Sequence, residues 1–226
     1  MTASHDSGDA YGVAPGSRLR PATRLVHGGQ TRTPHGETTE ALFLTSGFVY
    51  DSAEQAESTF TGEVSHYQYS RFGNPTVTMF EERLAGIEGA EACRATATGM
   101  AAVHAALLSH LKTGDRVVAS RALFGSCHWI VSTLLPRYGI EAEFVEGADL
   151  AAWRAALSRP AALVLIESPS NPMLEIVDLR AVARLAVFPA LALVDGNAPP
   201  PTHMAGMRPC SGPVGGARVA SVRQLP

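Results

Sequence analysis

Apolar positions recur along this chain with two different periods. Residues 76–87 place Val77, Phe80, Leu84 and Ile87 three or four apart, and residues 100–111 repeat that spacing with Met100, Val103, Leu107, Leu108 and Leu111. Such spacing lines apolar side chains along one face of a helix. Residues 127–137 read as a further helix. Short β-branched, alternating or wholly apolar runs read as strands at 115–120, 140–145, 161–166 and 190–194. Asp149 and Asp178 stand where a carboxylate can accept from the free amides of a first helical turn, which predicts helices running to Leu157 and Ala186. The run at 161–166 is continuously apolar, as in a strand buried on both faces. Repeated β-α units at this spacing predict an α/β fold, a mostly parallel sheet with helices on both faces.

The two ends of the chain lack this pattern. Residues 1–22 are rich in Gly, Ser, Asp and Pro without periodicity and read as a flexible arm. The last 31 residues, 196–226, hold six prolines and five glycines, and are expected to form a tail that does not fold with the sheet. One domain is therefore expected, over 23–195. A parallel sheet stopped just after a strand leaves an edge uncovered, so that domain reads as incomplete.

Composition narrows the function classes. The 226 residues are 46% hydrophobic and 17% charged, with a mean hydropathy of +0.06, which excludes a wholly disordered or collagen-like chain. A net charge of −3 and the lack of a basic run argue against nucleic acid as the main partner. The longest clean apolar stretch, 161–166, is far short of a membrane span, and the first 24 residues contain no apolar signal core. Three scattered cysteines (Cys93, Cys127 and Cys210) suit neither a disulfide framework nor a zinc site, so a reducing, cytoplasmic setting is expected. The eight histidines show no metal-ligand grouping, and there is no Walker loop, Gly-x-Gly-x-x-Gly fingerprint or Gly-x-Ser-x-Gly elbow. Of the 18 basic residues only Lys112 is lysine. Any chemistry that needs a lysine has a single candidate.

Three stretches could carry chemistry. Thr98-Gly99-Met100-Ala101-Ala102 opens a strong predicted helix after a strand-like stretch. Free amides at a helix start attract anions, and Gly99 allows close approach, although alone this reads first as a tight turn. Tyr69-Ser70-Arg71-Phe72-Gly73-Asn74-Pro75-Thr76 sets an arginine among aromatics just before a helix. That arginine could grip a phosphate or carboxylate, or simply be a solvated loop residue. Glu167-Ser168-Pro169-Ser170-Asn171-Pro172 follows the buried apolar run, and Asp195 ends the next. Ligands of open parallel sheets bind beyond the carboxyl ends of strands, yet Asn171 and Asp195 serve equally well as turn formers or caps.

Taken together, and in this order from about Thr23 to Asp195, these stretches resemble the Cys/Met-metabolism family of pyridoxal-phosphate (PLP) enzymes. Among its branches the chain looks most like the O-succinylhomoserine sulfhydrylases, on Thr31-Arg32-Thr33-Pro34-His35, Thr45-Ser46-Gly47-Phe48 and Leu123-Phe124-Gly125-Ser126-Cys127. The resemblance implies the large domain of the aspartate-aminotransferase-like architecture, fold type I. It implies PLP as cofactor, an activated homoserine and sulfide as substrates, and a homodimer or homotetramer with shared sites. Gly99 and Met100 would offer amides to the cofactor phosphate, and Tyr69 and Arg71 would reach the phosphate of a neighbouring subunit. Phe124 would stack on the pyridine ring in a place where most branches have tyrosine. Asn171 would meet the phenolic oxygen, and Asp195 would keep the ring nitrogen protonated.

One departure is plain. The family continues past the aspartate to a Ser-x-x-Lys stretch whose lysine forms the Schiff base, and residues 196–226 contain no lysine. Lys112 lies 13 residues beyond Gly99 on the same predicted helix, roughly 20 Å away at about 1.5 Å per residue. The chain as written is therefore expected to be inactive, a truncated or frameshifted relative of the enzyme. Another trans-sulfuration branch of the family, a cystathionine gamma-synthase or gamma-lyase, is an alternative, and a different α/β nucleotide-binding module is a poorer one, given the missing glycine fingerprints.

Overall fold

The computed structural model describes residues 20–88, 90, 92–185, 191–196 and 218–223. The chain divides into two compact units, one ending at Ala95 and the other beginning at Thr96. The stretch expected as one domain thus spans both.

Among the described residues the first unit has three helices, α1 (Pro21–His27), α2 (Ala53–Phe60) and α3 (Pro75–Glu88). Pro75 stands at the first helical position, where its fixed φ suits the helix and its missing amide costs nothing. The chain leaves α1 against α3 through Gly29, at φ +68°, where an added Cβ would lie 2.6 Å from the Met79 carbonyl oxygen. Arg83 of α3 ties that turn down, its Nε donating to the Gly28 carbonyl at 2.8 Å while its Nη2 pairs with Glu40. This hydrogen-bonded guanidinium holds the Glu40 carboxyl below the usual carboxylate range. Helix α1 begins inside the stretch read as an arm, and the rest of that stretch, 1–19, lies outside the described residues.

The second unit carries the predicted sheet. Its elements are α4 (Gly99–His110), β1 (Arg116–Ser120), α5 (Gly125–Trp129), a π-helical turn (Ile130–Leu134), α6 (Leu135–Arg137) and β2 (Glu141–Val145). They continue with α7 (Leu150–Ala156), β3 (Leu163–Glu167), α8 (Leu179–Leu185), β4 (Leu191–Gly196) and β5 (Arg218–Arg223). The five strands among the described residues are all parallel, in the order β2-β1-β3-β4-β5. Helical structure from α5 through α6 matches the predicted helix, with a widened middle where the Leu135 amide reaches back to the Ile130 carbonyl. The cause is Pro136, which has no amide to continue the ordinary ladder and whose ring crowds the carbonyl four residues back.

Alternation along β1 sorts the core into two layers. Val117 and Ala119 join Leu163, Leu165, Val103, Leu107, Cys127, Val131 and Leu135 on the side of α4, α5 and α6. Val118 joins Val164, Ile166, Trp153, Val177 and Val182 on the side of α7 and α8. Both faces are covered, as the continuous apolar run of β3 requires. Caps appear where the carboxylates predicted them: Asp149 Oδ1 accepts from the Ala151 amide at 2.8 Å, and Asp178 Oδ1 from Ala181 at 2.9 Å.

The expectation that nothing after Gly196 folds with the sheet is corrected at one place. Arg218–Arg223 pairs with β4 along its whole length, from Leu191↔Arg218 to Gly196↔Arg223. An unpaired edge of β4 offers six residues of backbone donors and acceptors, and a short run holding Val219 and Val222 satisfies them.

Candidate cofactor-binding site

In the first unit, Asn74 builds the loop that displays Tyr69 and Arg71. Its buried side chain donates to the Phe43 carbonyl and to Ser70 Oγ, both at 2.9 Å, while its Oδ1 accepts from the Thr76 amide at 2.9 Å. Thr76 Oγ1 in turn accepts from the Phe43 amide at 2.9 Å. The Tyr69 backbone bridges Gly47 antiparallel, and its carbonyl accepts from the Phe72 amide at 2.8 Å. Arg71 is exposed, with its guanidinium carbon 5.4 Å from the Tyr69 ring centroid and 5.0 Å from that of Phe72. Half the motif is therefore scaffold, and half is presented to solvent.

In the second unit, α4 opens as predicted but follows irregular chain rather than a strand. Thr98 is its N-cap, with Oγ1 accepting from the Ala101 amide at 3.0 Å. Gly99 and Met100 occupy the first turn, and among the described residues neither amide has a hydrogen-bond acceptor. Two open amides at the start of a 12-residue helix form a donor set suited to a phosphate group. Met100 Sδ lies 3.9 Å from Cys127 Sγ, which brings the start of α4 beside the start of α5.

Phe124 precedes α5, half-buried against the α4-side core, and Asn171 is exposed in the loop after β3. Glu167 joins them. Its side chain is 2% exposed; Oε2 accepts from the Phe124 amide and Oε1 from the Asn171 amide, the latter at 3.0 Å. Ser168 Oγ accepts from the Val177 amide at 3.2 Å and Ser170 Oγ from the Glu175 amide at 3.0 Å, which fixes the rest of that loop. The Asp195 backbone lies on β4 in register with Glu167.

Five of the seven expected residues thus belong to the second unit, at the carboxyl ends of β1, β3 and β4 and at the start of α4. Tyr69 and Arg71 belong to the first. The reading of residue types passed over Glu167, although its place at the end of an apolar strand was the available signal. Lys112 sits at the other end of α4, where its amide and Nζ donate to Asp115 at 2.9 and 2.8 Å and hold that carboxyl below its usual range. Among the described residues no His, Cys, Asp and Glu cluster could hold a metal ion, and no helix is long and apolar enough to cross a membrane.

Known proteins similar to this chain are of one kind. An O-succinylhomoserine sulfhydrylase of Mycobacterium tuberculosis is 56% identical over 165 residues, 73% of this chain and 41% of the relative. An L-methionine gamma-lyase of Fusobacterium nucleatum subsp. polymorphum is 38% identical over 164 residues, 73% of this chain and 42% of the relative. The chain therefore spans about two fifths of the length of the curated relatives it matches. A crystal structure from Campylobacter jejuni, named as an O-acetylhomoserine (thiol)-lyase and containing pyridoxyl-lysine monophosphate, superposes with a TM-score of 0.74 at 26% identity. That match covers 79% of this chain and 44% of the other. The profile of the Cys/Met metabolism PLP-dependent enzymes matches residues 22–206, and the chain belongs to that family.

Proposed function

We propose that these residues form the cofactor-binding part of a trans-sulfuration enzyme that joins O-succinylhomoserine to sulfide, giving homocysteine and succinate. The reading is carried by the 56% identity to a sulfhydrylase over 165 residues, against 38% over 164 for a methionine gamma-lyase. The Gly99 and Met100 amides hold the PLP phosphate, and the α4 dipole favours its charge. Phe124 lies against the pyridine ring, and the Asn171 carboxamide meets its phenolic oxygen. Asp195 would keep the ring nitrogen protonated. Tyr69 and Arg71 reach the phosphate bound by a second copy, so the working unit is a homodimer or larger. When bound, PLP supplies the electron sink for breaking bonds at the amino-acid carbons.

The 226 residues alone are catalytically silent in this reading, because Lys112 is the single lysine and is paired with Asp115 at the far end of α4. In this reading a lysine that works on the cofactor is not among them. The test has two arms. Titrating the chain with PLP gives saturable binding without homocysteine formation; failure to bind PLP, or turnover by the chain alone, overturns the corresponding part. Joining residues 20–196 to the remaining part of the M. tuberculosis relative gives sulfide-dependent homocysteine from O-succinylhomoserine. Thiol release from methionine by that chimera in place of homocysteine formation overturns the substrate.

A further inference from the structure

A buried carboxylate is costly unless donors surround it, and Glu167 has its two oxygens shared between two elements. Oε2 takes the amide of Phe124, 43 residues away, and Oε1 takes the amide of Asn171, four residues away. Packing on this face of β3 is already supplied by Leu163 and Leu165. What the carboxylate adds is a fixed link between the loop after β1 and the loop after β3. The link also completes α5, whose first residue is preceded by Phe124, a side chain with no oxygen to cap a helix. The charged acceptor gives each bond more strength and direction than a neutral one.

We propose that Glu167 is a positioning residue that sets the separation between the Phe124 ring and the Asn171 side chain, and hence the depth at which the cofactor ring lies against them. It does so from below, through the two backbone amides, without touching the cofactor. This rests on the function proposed above, in which Phe124 and Asn171 meet the ring.

The test compares the wild-type chain with Glu167→Gln, which keeps shape and one acceptor but turns an amino group toward the other amide. In proton–nitrogen NMR spectra without ligand, the amide proton of Phe124 or Asn171 moves upfield in the variant. The dissociation constant for PLP rises about tenfold, the loss expected for one hydrogen bond to a charged group. Binding of inorganic phosphate, which probes the start of α4, is unchanged. Equal PLP affinity in the two proteins overturns the proposal, as does a parallel loss of phosphate binding, which would mark a general defect of fold. A wild-type chain that binds no PLP brings down the functional reading and this one with it, a result distinct from equal affinity. If Glu167→Gln does not fold, Glu167→Asp, one methylene shorter, is judged by the same criteria.

Discussion

At the scale of single residues, the chain separates side chains that build from those that present. Asn74 and Thr76 spend their polar atoms on backbone groups, so that Tyr69 and Arg71 are held out toward solvent. Thr98 plays the building part for α4. By accepting from the Ala101 amide it leaves those of Gly99 and Met100 for a ligand. Thr98→Ala therefore costs about 1 kcal/mol of stability, the usual loss for an N-cap oxygen, and Thr98→Ser costs much less. Urea denaturation of the three proteins measures this, and equal midpoints for the alanine variant and wild type would refute it. Glu167 was harder to read than either threonine or asparagine. A glutamate closing an apolar strand resembles the point where the chain re-enters solvent, and only the approach of Phe124 from 43 residues away reveals a buried acceptor.

Elements were legible where a local signal is strong. Apolar spacing marks α4 and a capping aspartate marks α7, and the structure places both within a residue or two of the expected ends. Helix α2 carries a strong start, with Ser52 Oγ accepting from the Gln55 amide and Gln55 Oε1 from the Asp51 amide. Its apolar stripe, Ala53, Ala56 and Phe60, consists of two small residues and one large one, which gives periodicity little to register. Strand β5 was illegible for another reason, since its pairing is dictated by the open edge of β4 rather than by its own alternation. A similar dependence links the end of β1 to the turn after β2. Gly147 packs so closely there that an added Cβ would lie 2.7 Å from Ser120 Oγ and 3.0 Å from Val177 Cγ2. Gly147→Ala is thus expected to cost about 1–3 kcal/mol through overpacking. Among the described residues Ser120 Oγ is buried without a hydrogen-bond partner, so Ser120→Ala is neutral or slightly stabilising. The double variant recovers part of the loss. Thermal unfolding of the four proteins gives the coupling, and strict additivity would show that the contact carries no strain.

For the molecule as a whole, strand order matters more than chain order. The sequence β2-β1-β3-β4-β5 makes β1, β3 and β4 neighbours, so loops from distant parts of the chain gather at one end of the sheet. That end is where open parallel sheets hold their ligands. The same arrangement removes Lys112 from consideration. Helix α4 has 12 residues, about 18 Å at roughly 1.5 Å per residue, and Lys112 follows its far end. Its side chain is 83% exposed, and its ammonium lies 2.8 Å from Asp115 Oδ1 across the turn into β1. Lys112→Arg preserves that charge pairing while removing the chain's single primary side-chain amine. PLP affinity is therefore expected to stay within about twofold of wild type, and stability within about 0.5 kcal/mol, as for a surface substitution. Parallel PLP titrations and denaturation curves decide the matter. A large loss of PLP affinity in the stable variant would mean that the cofactor binds at Lys112 rather than at the start of α4, and would move the site to the opposite end of that helix.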